Sequence, residues 1–368
     1  MKFIQRFNMK VGIITIHNVS NYGAVLQAFA LKETVCRRHE CYIIDFDNPH
    51  VSKSLKHIRL GLTFHAFLGM GKDILRILPR SRVIPKFKRF IFQKMNLVEL
   101  NSLEFSEMNV FISGSDQIWN PACVSPEKKF VSQYFLSFAE HSQKKISYAS
   151  SCGAYEFNND EIEELKRYLS SYKSLAVREK KTSEFLSNTL NRNVSHVLDP
   201  TLLLTKKEWL DKISDNSYRT GDYILVYVIK KTQLLKDTIR KIKSKLNMRV
   251  ILVEQGLYFD SIIDEHIRDA GPEDFISLVN NAKFIITDSF HGTTFSVIFN
   301  KPFCSVSPGA NVNRISSLLN TIGLENRIVH DHEDIDNISL DMDFEEANKL
   351  LFSQIEKSKE YLYSSIEN

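Results

Sequence analysis

Short apolar runs separated by polar turns recur along the chain. The runs KVGIITI (10–16), CYIIDF (41–46), NVFIS (109–113), KISYAS (145–150), YILVYVI (223–229) and KFIIT (283–287) are rich in β-branched residues and show little alternation. The segments 174–177, 194–198 and 249–254 also read as strands. That pattern predicts strands buried on both faces, as in parallel sheets. Between them, apolar residues at helical spacing predict helices over 24–38, 181–190, 230–246 and 344–366. A further helix, capped by Asn159 or Asp160, runs to about Ser171. Shorter helices are expected after the capping box Thr205–Glu208, after Pro272-Glu273-Asp274, over 293–299 and over 313–319. Strands alternate with helices in both halves, which predicts an α/β fold of two doubly wound, Rossmann-like domains. The reading places an N-terminal domain at 1–195, a C-terminal domain at 196–345, and a long C-terminal helix at 346–368 that packs across both. A cleft between the domains, where strand ends collect, is the expected place for a ligand.

The polar turns lie at predicted strand exits: Asn18 to Gly23, Gly114 to Asn120, Ser147 to Gly153, Arg178-Glu179, Asp199-Pro200 and Asp288 to Gly292. The last, DSFHG, opens onto a predicted helix. Polar residues between a strand's carboxyl end and a helix amino end are a common anion site in α/β proteins. His291 adds a proton carrier there. Asp288 is a base, an orienter of His291, or a helix cap, the commonest role for an Asp just before a helix. Asp116 is a base or a turn-capping carboxylate. Trp119 is a sugar-stacking ring or a core residue. Arg178 binds an anion or pairs with its neighbours. Asn21, Tyr22 and Gly23 are a costly combination for a mere connection, yet the three-glycine dinucleotide fingerprint is absent.

Charge changes the picture in one place. The chain of 368 residues carries +4 overall. The stretch 51–95 alone has eleven Lys or Arg and one acid, Asp73, so it is +10 and leaves the rest at −6. Phe64, Phe67, Phe87, Phe90 and Phe92 are interleaved with the charge. Such a stretch is a solvated helical insertion in the first domain, or an element that docks on anionic lipid or a lipid-linked diphosphate. Nucleic acid is a third option with no motif behind it. The five cysteines show no metal-ligand spacing and read as reduced thiols of a cytoplasmic protein. Residues 1–10 show no secretory signal, and no run of about 18 apolar residues exists to span a membrane.

The blocks NYGAVLQAFAL (21–31), GSDQIWNP (114–121), SYASSCG (147–153), VRE (177–179), LDPTLLL (198–204) and TDSFHGTTFSVIFNKPF (287–303) together resemble the polysaccharide pyruvyl transferase family. The resemblance implies a fold similar to the GT-B glycosyltransferases. It implies transfer of a pyruvyl group from phosphoenolpyruvate to sugar hydroxyls, forming a ketal and releasing phosphate. The acceptor would be a surface polysaccharide, such as capsule or exopolysaccharide, or its lipid-linked oligosaccharide precursor at the inner face of a membrane. The family's functional His matches His291 and its Arg matches Arg178; for such chemistry a carboxylate would help deprotonate the acceptor hydroxyl, with Asp116 and Asp288 the candidates. Arg178, Ser289, His291, Gly292 and Thr293 would hold the donor. Asn21, Tyr22, Gly23, Ser115, Asp116, Gln117 and Trp119 would face the acceptor. No metal or further cofactor is required. Many relatives carry a basic residue two positions before the His, where this chain has Ser289; Lys283, Lys301 and Arg314 are the candidates to compensate. A nucleotide-sugar glycosyltransferase of the same architecture is the alternative.

Overall fold

The computed structural model describes residues 9–57, 76–100, 102–213, 221–256, 260–307 and 313–368. The chain divides into two compact units. One comprises Met1–Leu55, Arg89–Leu204 and Ser353–Asn368; the other comprises Lys56–Lys88 and Thr205–Phe352.

In the first unit, the described residues form a parallel sheet of β1 (Lys10–Ile14), β2 (Glu40–Ile44), β3 (Leu97–Val98), β4 (Val110–Ser113) and β5 (Lys144–Ser147). Their order is β3-β2-β1-β4-β5. A further parallel pair, β6 (Ala176–Val177) and β7 (Ser195–His196), joins this edge through the bridges Ile146–Ser174 and Ser150–Val177. The helix Tyr22–Val35 is buried nearly all round, which explains why its sequence is apolar on every face.

The second unit repeats the scheme. It holds β8 (Tyr223–Tyr227), β9 (Arg249–Val253), β10 (Glu265–Ile267), β11 (Phe284–Thr287), β12 (Phe303–Val306) and β13 (Ile328–Val329). All are parallel, in the order β10-β9-β8-β11-β12-β13. Counted within the unit, that is the doubly wound order 3-2-1-4-5-6. One face of the sheet presents Ile224, Val226, Phe284 and Ile286 to Leu235, Ile239 and Ile242 of the helix Gln233–Leu246. On the other, a run of edge-on rings joins Tyr227 to Phe275 (4.9 Å), Phe275 to Phe295 (5.8 Å) and Phe295 to Trp209 (5.1 Å). Burial on both faces is why these strands read as continuous apolar runs.

The expected fold class is therefore present, with differences in detail. The short strands β3, β10 and β13 escaped the sequence reading; each has two or three residues and lies at a sheet edge. The chain leaves the first unit after Leu204 rather than at 195, because β7 pairs with β6 and the turn Pro200–Leu203 packs on the helix Tyr22–Val35. The capping box Thr205–Glu208 then begins the second unit's next helix, with both reciprocal bonds formed. Of the basic stretch 51–95, residues Lys56–Lys88 group with the second unit and not with the first. Lys86 pairs with Asp274 (2.7 Å) and Arg82 with Asp269 (3.5 Å). Phe87 and Phe90 are core residues; Phe64 and Phe67 lie outside the described residues. The C-terminal helix is Glu345–Glu367, grouped with the second unit through Phe352 and with the first from Ser353. No helix among the described residues is long and apolar enough to cross a membrane.

Asp274 has two duties: it accepts from the Gly271 N–H (2.7 Å), closing the first turn of the helix Pro272–Asn281, and it takes Lys86. We expect D274A to destabilise the protein by about 1–3 kcal/mol in urea titrations, since it strands a half-buried ammonium and an N–H. A change below a few tenths of a kcal/mol would show that this anchor carries no weight.

Candidate active site

In each unit the strand order reverses between two central strands, and ligands of doubly wound sheets sit outside the carboxyl ends at that point. In the second unit the two strands are β8 and β11. The turn after β11 begins with Asp288, which is 5% exposed. Its carboxylate accepts from the Ile229 N–H (2.6 Å) and the Lys230 N–H (2.7 Å), both in the loop after β8. Burial pushes the Asp288 carboxyl above its ordinary range, and the two backbone donors pull against that. Asp288 thus ties the two loops together and does not cap the helix. The cap is Ser289, whose hydroxyl accepts from the Gly292 N–H (3.4 Å). The helix runs Phe290–Ile298, three residues earlier than expected, with His291 in its first turn.

His291 lies just below the surface, its ring edge-on to Phe290 at 5.2 Å. Gly292 is required by close approach: a Cβ there would lie 2.2 Å from Thr287 Oγ1. That same Oγ1 donates to the Tyr227 carbonyl (2.6 Å) and accepts from the Ser289 N–H (3.0 Å). Thr293 is fully buried, bonded to the Ser289 carbonyl (3.1 Å) and to Ser305 Oγ (2.6 Å). Its hydroxyl therefore braces the turn and does not face a ligand. Tyr227, hidden inside the apolar run 223–229, is a further residue of this turn, at the end of β8. Its phenol interacts with Ser289, and burial pushes it up to about 12.

The compensating cations expected for Ser289 divide. Lys283 and Lys301 precede β11 and β12, so they stand at the amino ends of parallel strands, away from the turn. Arg314 follows β12, with its guanidinium 5.7 Å from the Phe290 ring. Lys230, exposed and next to the Asp288 carboxylate, is the cation that the sequence reading overlooked.

The first unit reverses between β1 and β4. Here the loops are joined by neutral groups. Thr15 Oγ1 donates to the Ser115 carbonyl (2.7 Å), and the buried Gln27 amide donates to Thr15 Oγ1 (3.0 Å) and to the Ile16 carbonyl (3.2 Å). Asn21 caps the helix Tyr22–Val35 by accepting from the Ala24 N–H (3.2 Å), with Tyr22 and Gly23 buried behind it. Asp116 has a left-handed backbone (φ 71°), held by bonds from the Ile118 and Ser151 N–H groups to its carbonyl and by its own carboxylate on the Gln117 N–H (2.9 Å). Gln117 fills the space over Gly153, where a Cβ would lie 2.2 Å from its Oε1.

Arg178 stands in a nest of acids: Asp199 at 2.8 Å, Glu179 at 3.4 Å and Asp116 at 3.7 Å. Burial works against its charge, but Glu179, Asp199 and Asp116 outweigh it and raise the guanidinium above its ordinary value. With its side chain 2% exposed, Arg178 does not present the open fork expected for a donor anion; it orders the carboxylates instead. Ser115 is fully buried, with Oγ 3.5 Å from Asp199. Trp119 is also fully buried, stacked on Phe135 (5.6 Å, 8° between planes) and donating to Ser113 Oγ (3.0 Å). A ring without exposed surface cannot stack on a sugar, so Trp119 is core. Asn21, Asp116 and Gln117 remain accessible. The structure adds His17, whose ring nitrogens face the Thr15 carbonyl (3.1 Å) and Asp45 (3.2 Å). Its hydrogen bond lowers the Asp45 carboxyl. Among the described residues no cluster of three or more His, Cys, Asp or Glu could hold a metal ion.

Comparison with known proteins agrees with this architecture. The family model described as Polysaccharide pyruvyl transferase matches residues 21–309. No curated protein matches the sequence. Among solved structures, a candidate UDP-N-acetylglucosamine 2-epimerase from Listeria monocytogenes is similar with a TM-score of 0.54 at 9% identity, covering 98% of this chain and 96% of that one. UDP-GlcNAc 2-epimerase from Neisseria meningitidis, bound to UDP-GlcNAc, gives 0.52 at 10% identity over 97% and 99%. At such identity the likeness shows the fold, the GT-B type, and nothing of substrate.

Two outcomes follow from this geometry. G292A should lower stability by about 1–3 kcal/mol, because the new methyl meets Thr287 inside a packed turn; an unchanged melting temperature would contradict the close approach. At the amino ends of the strands, burial with Lys206 and Lys283 nearby pulls the Lys301 amine down to about 8. Below that pH the folded chain carries a charge at a cost absent from the unfolded chain. K301M should therefore be more stable at pH 7, by about 1 kcal/mol after allowing for solvent screening. The advantage should shrink as pH rises from about 8 toward the ordinary lysine value of 10.5. A gain that grows with pH would reverse the assignment.

Proposed function

The chain belongs to the polysaccharide pyruvyl transferase family, and we propose that it moves the pyruvyl group of phosphoenolpyruvate onto two hydroxyls of a glycan or its lipid-linked precursor. The observation that carries this reading is the placement of His291. It sits in the first turn of a helix whose amino end opens at the strand-order reversal of the second unit.

Phosphoenolpyruvate brings a phosphate and a carboxylate, and the amino end of the helix Phe290–Ile298 favours negative charge. Arg314 and Lys230 supply the positive charge that Ser289 lacks. His291 gives a proton to the methylene carbon, turning it into the methyl group and leaving the neighbouring carbon electron-poor. One sugar hydroxyl adds to that carbon and loses its proton. The second hydroxyl adds as the C–O bond to phosphate breaks, and its proton goes out with the phosphate. The atoms balance as donor plus two hydroxyls giving one ketal and one phosphate. Within the first unit, Asp116 is ordered by Arg178, with Asn21 and Gln117 accessible beside its turn, and we assign this turn to holding the acceptor. Asp288 has both oxygens engaged by backbone N–H groups, so we assign it the shaping of the turn. The scheme draws on no metal and no cofactor. We place the reaction in the cytoplasm, with a lipid-linked acceptor reached at the inner membrane face.

Nucleotide-sugar transfer by a protein of the same architecture is the second reading. Glu265 and Glu273, two glutamates eight residues apart, do not share a helix: Glu265 lies in β10 and Glu273 in the helix Pro272–Asn281. Thermal-shift screening separates the two, with stabilisation by phosphoenolpyruvate supporting the first and by nucleotide sugars the second.

Phosphate release from phosphoenolpyruvate with a lipid-linked oligosaccharide acceptor measures the reaction. H291A should lower it by at least about 100-fold, the scale of a lost general acid. Undiminished turnover would remove His291 from the centre.

A further inference from the structure

The helix Ile77–Lys94 carries a feature that pyruvyl transfer does not use. Its sequence, ILPRSRVIPKFKRFIFQK, holds six basic residues and no acid. One face is core: Val83, Ile84, Phe87, Phe90 and Ile91 are buried. The opposite face is a stripe of Leu78, Arg82, Pro85, Arg89 and Phe92, spaced four, three, four, three, and all exposed. Leu78 is 70% exposed and Phe92 81%. With Ile77 they make three of the six large exposed apolar side chains among the described residues. Lys88 is exposed beside them.

Isolated exposed apolar residues mean little. These lie on one helix face among cations, and that combination has a specific chemistry. Leu78 and Phe92 are fourteen residues apart, about 21 Å along a helix. Two apolar anchors at that distance on one face hold a helix flat against a surface. Arg82 and Lys88 between them match negative charge. The core face is already satisfied, so docking needs no unfolding. We propose that this stripe is the face by which the protein lies on an anionic lipid surface, with Leu78 and Phe92 inserted between head groups and the cations against them. Among the described residues of the basic stretch, the large exposed apolar side chains all lie on this helix. It also limits the electrostatic part, since Lys86 is tied to Asp274 and Arg82 is shared with Asp269. The anchors are therefore apolar first and basic second.

The test uses the full chain and sedimentation with vesicles, and it reads binding without turnover. Failure here leaves the proposed reaction untouched, and failure of that reaction leaves this result standing. Wild-type protein should pellet with phosphatidylcholine–phosphatidylserine vesicles and stay in the supernatant with phosphatidylcholine alone. Added salt should weaken binding without abolishing it. L78D and F92D should each cut partitioning by at least about tenfold, and K88E by about threefold to tenfold. All three sites are exposed, and unchanged melting temperatures would confirm intact folding. F352D, at an exposed Phe (65%) on the C-terminal helix, should bind as wild type. Wild-type protein that ignores anionic vesicles overturns the proposal and leaves the stripe to a protein partner. Equal loss in F352D and F92D, or full binding by the L78D/F92D double variant, also overturns it.

Discussion

One buried carboxylate shapes the candidate site of the second unit. Asp288 reaches from the end of β11 to two backbone N–H groups beyond the end of β8. An ionised carboxylate out of water is costly unless its lone pairs are taken, and a pair of amide donors takes them without adding charge. The bond crosses the place where the strand order reverses, so it fixes both lips of the opening at once. Ser289 then falls at the cap, Gly292 against Thr287, and His291 on the first turn. Each of these follows from where Asp288 pins the chain.

The first unit meets the same topological problem with different chemistry. Its two loops are joined through Thr15, Ser115 and Gln27, all neutral and buried. Its charges are gathered deeper, around Arg178. Three acids about one guanidinium leave the cluster anionic. Such a cluster suits holding one carboxylate in place and does not suit gripping an anion. The two openings thus differ in sign as well as in residues: the second is lined by a helix amino end with Lys230 and Arg314 near it, the first by Asp116 and its partners.

Much of the fold was legible because parallel strands buried on both faces leave an apolar run that few other elements imitate. YILVYVI and KFIIT hold β8 and β11, though β8 ends at Tyr227 and leaves Ile229 exposed, and the capping box at Thr205 marked the start of its helix. What escaped was short or at an edge, such as β3, β10 and β13. The site was legible as a set of polar strand exits, but not in its internal roles. Sequence ranks Asp288 as the cap because it precedes a helix; the structure starts that helix three residues early and hands the cap to Ser289. Trp119 and Arg178 look alike in sequence to residues that meet ligands. Only three-dimensional packing tells a ring stacked on Phe135 or a guanidinium enclosed by acids from an open one. Gln27 and Tyr227 were hidden for the opposite reason, as residues inside apolar elements.

The chain has two tryptophans, and the fold gives one to each unit. Trp119 lies in the first, stacked face to face on Phe135; Trp209 lies in the second, edge-on to Phe295. Both are fully buried. Indole emission shifts to longer wavelength when the ring meets water, so each unit carries its own optical reporter. Replacing either ring by Phe leaves a single signal from the other unit. A fluorescence melt of each single-tryptophan chain then tells whether the two halves lose structure together or in turn.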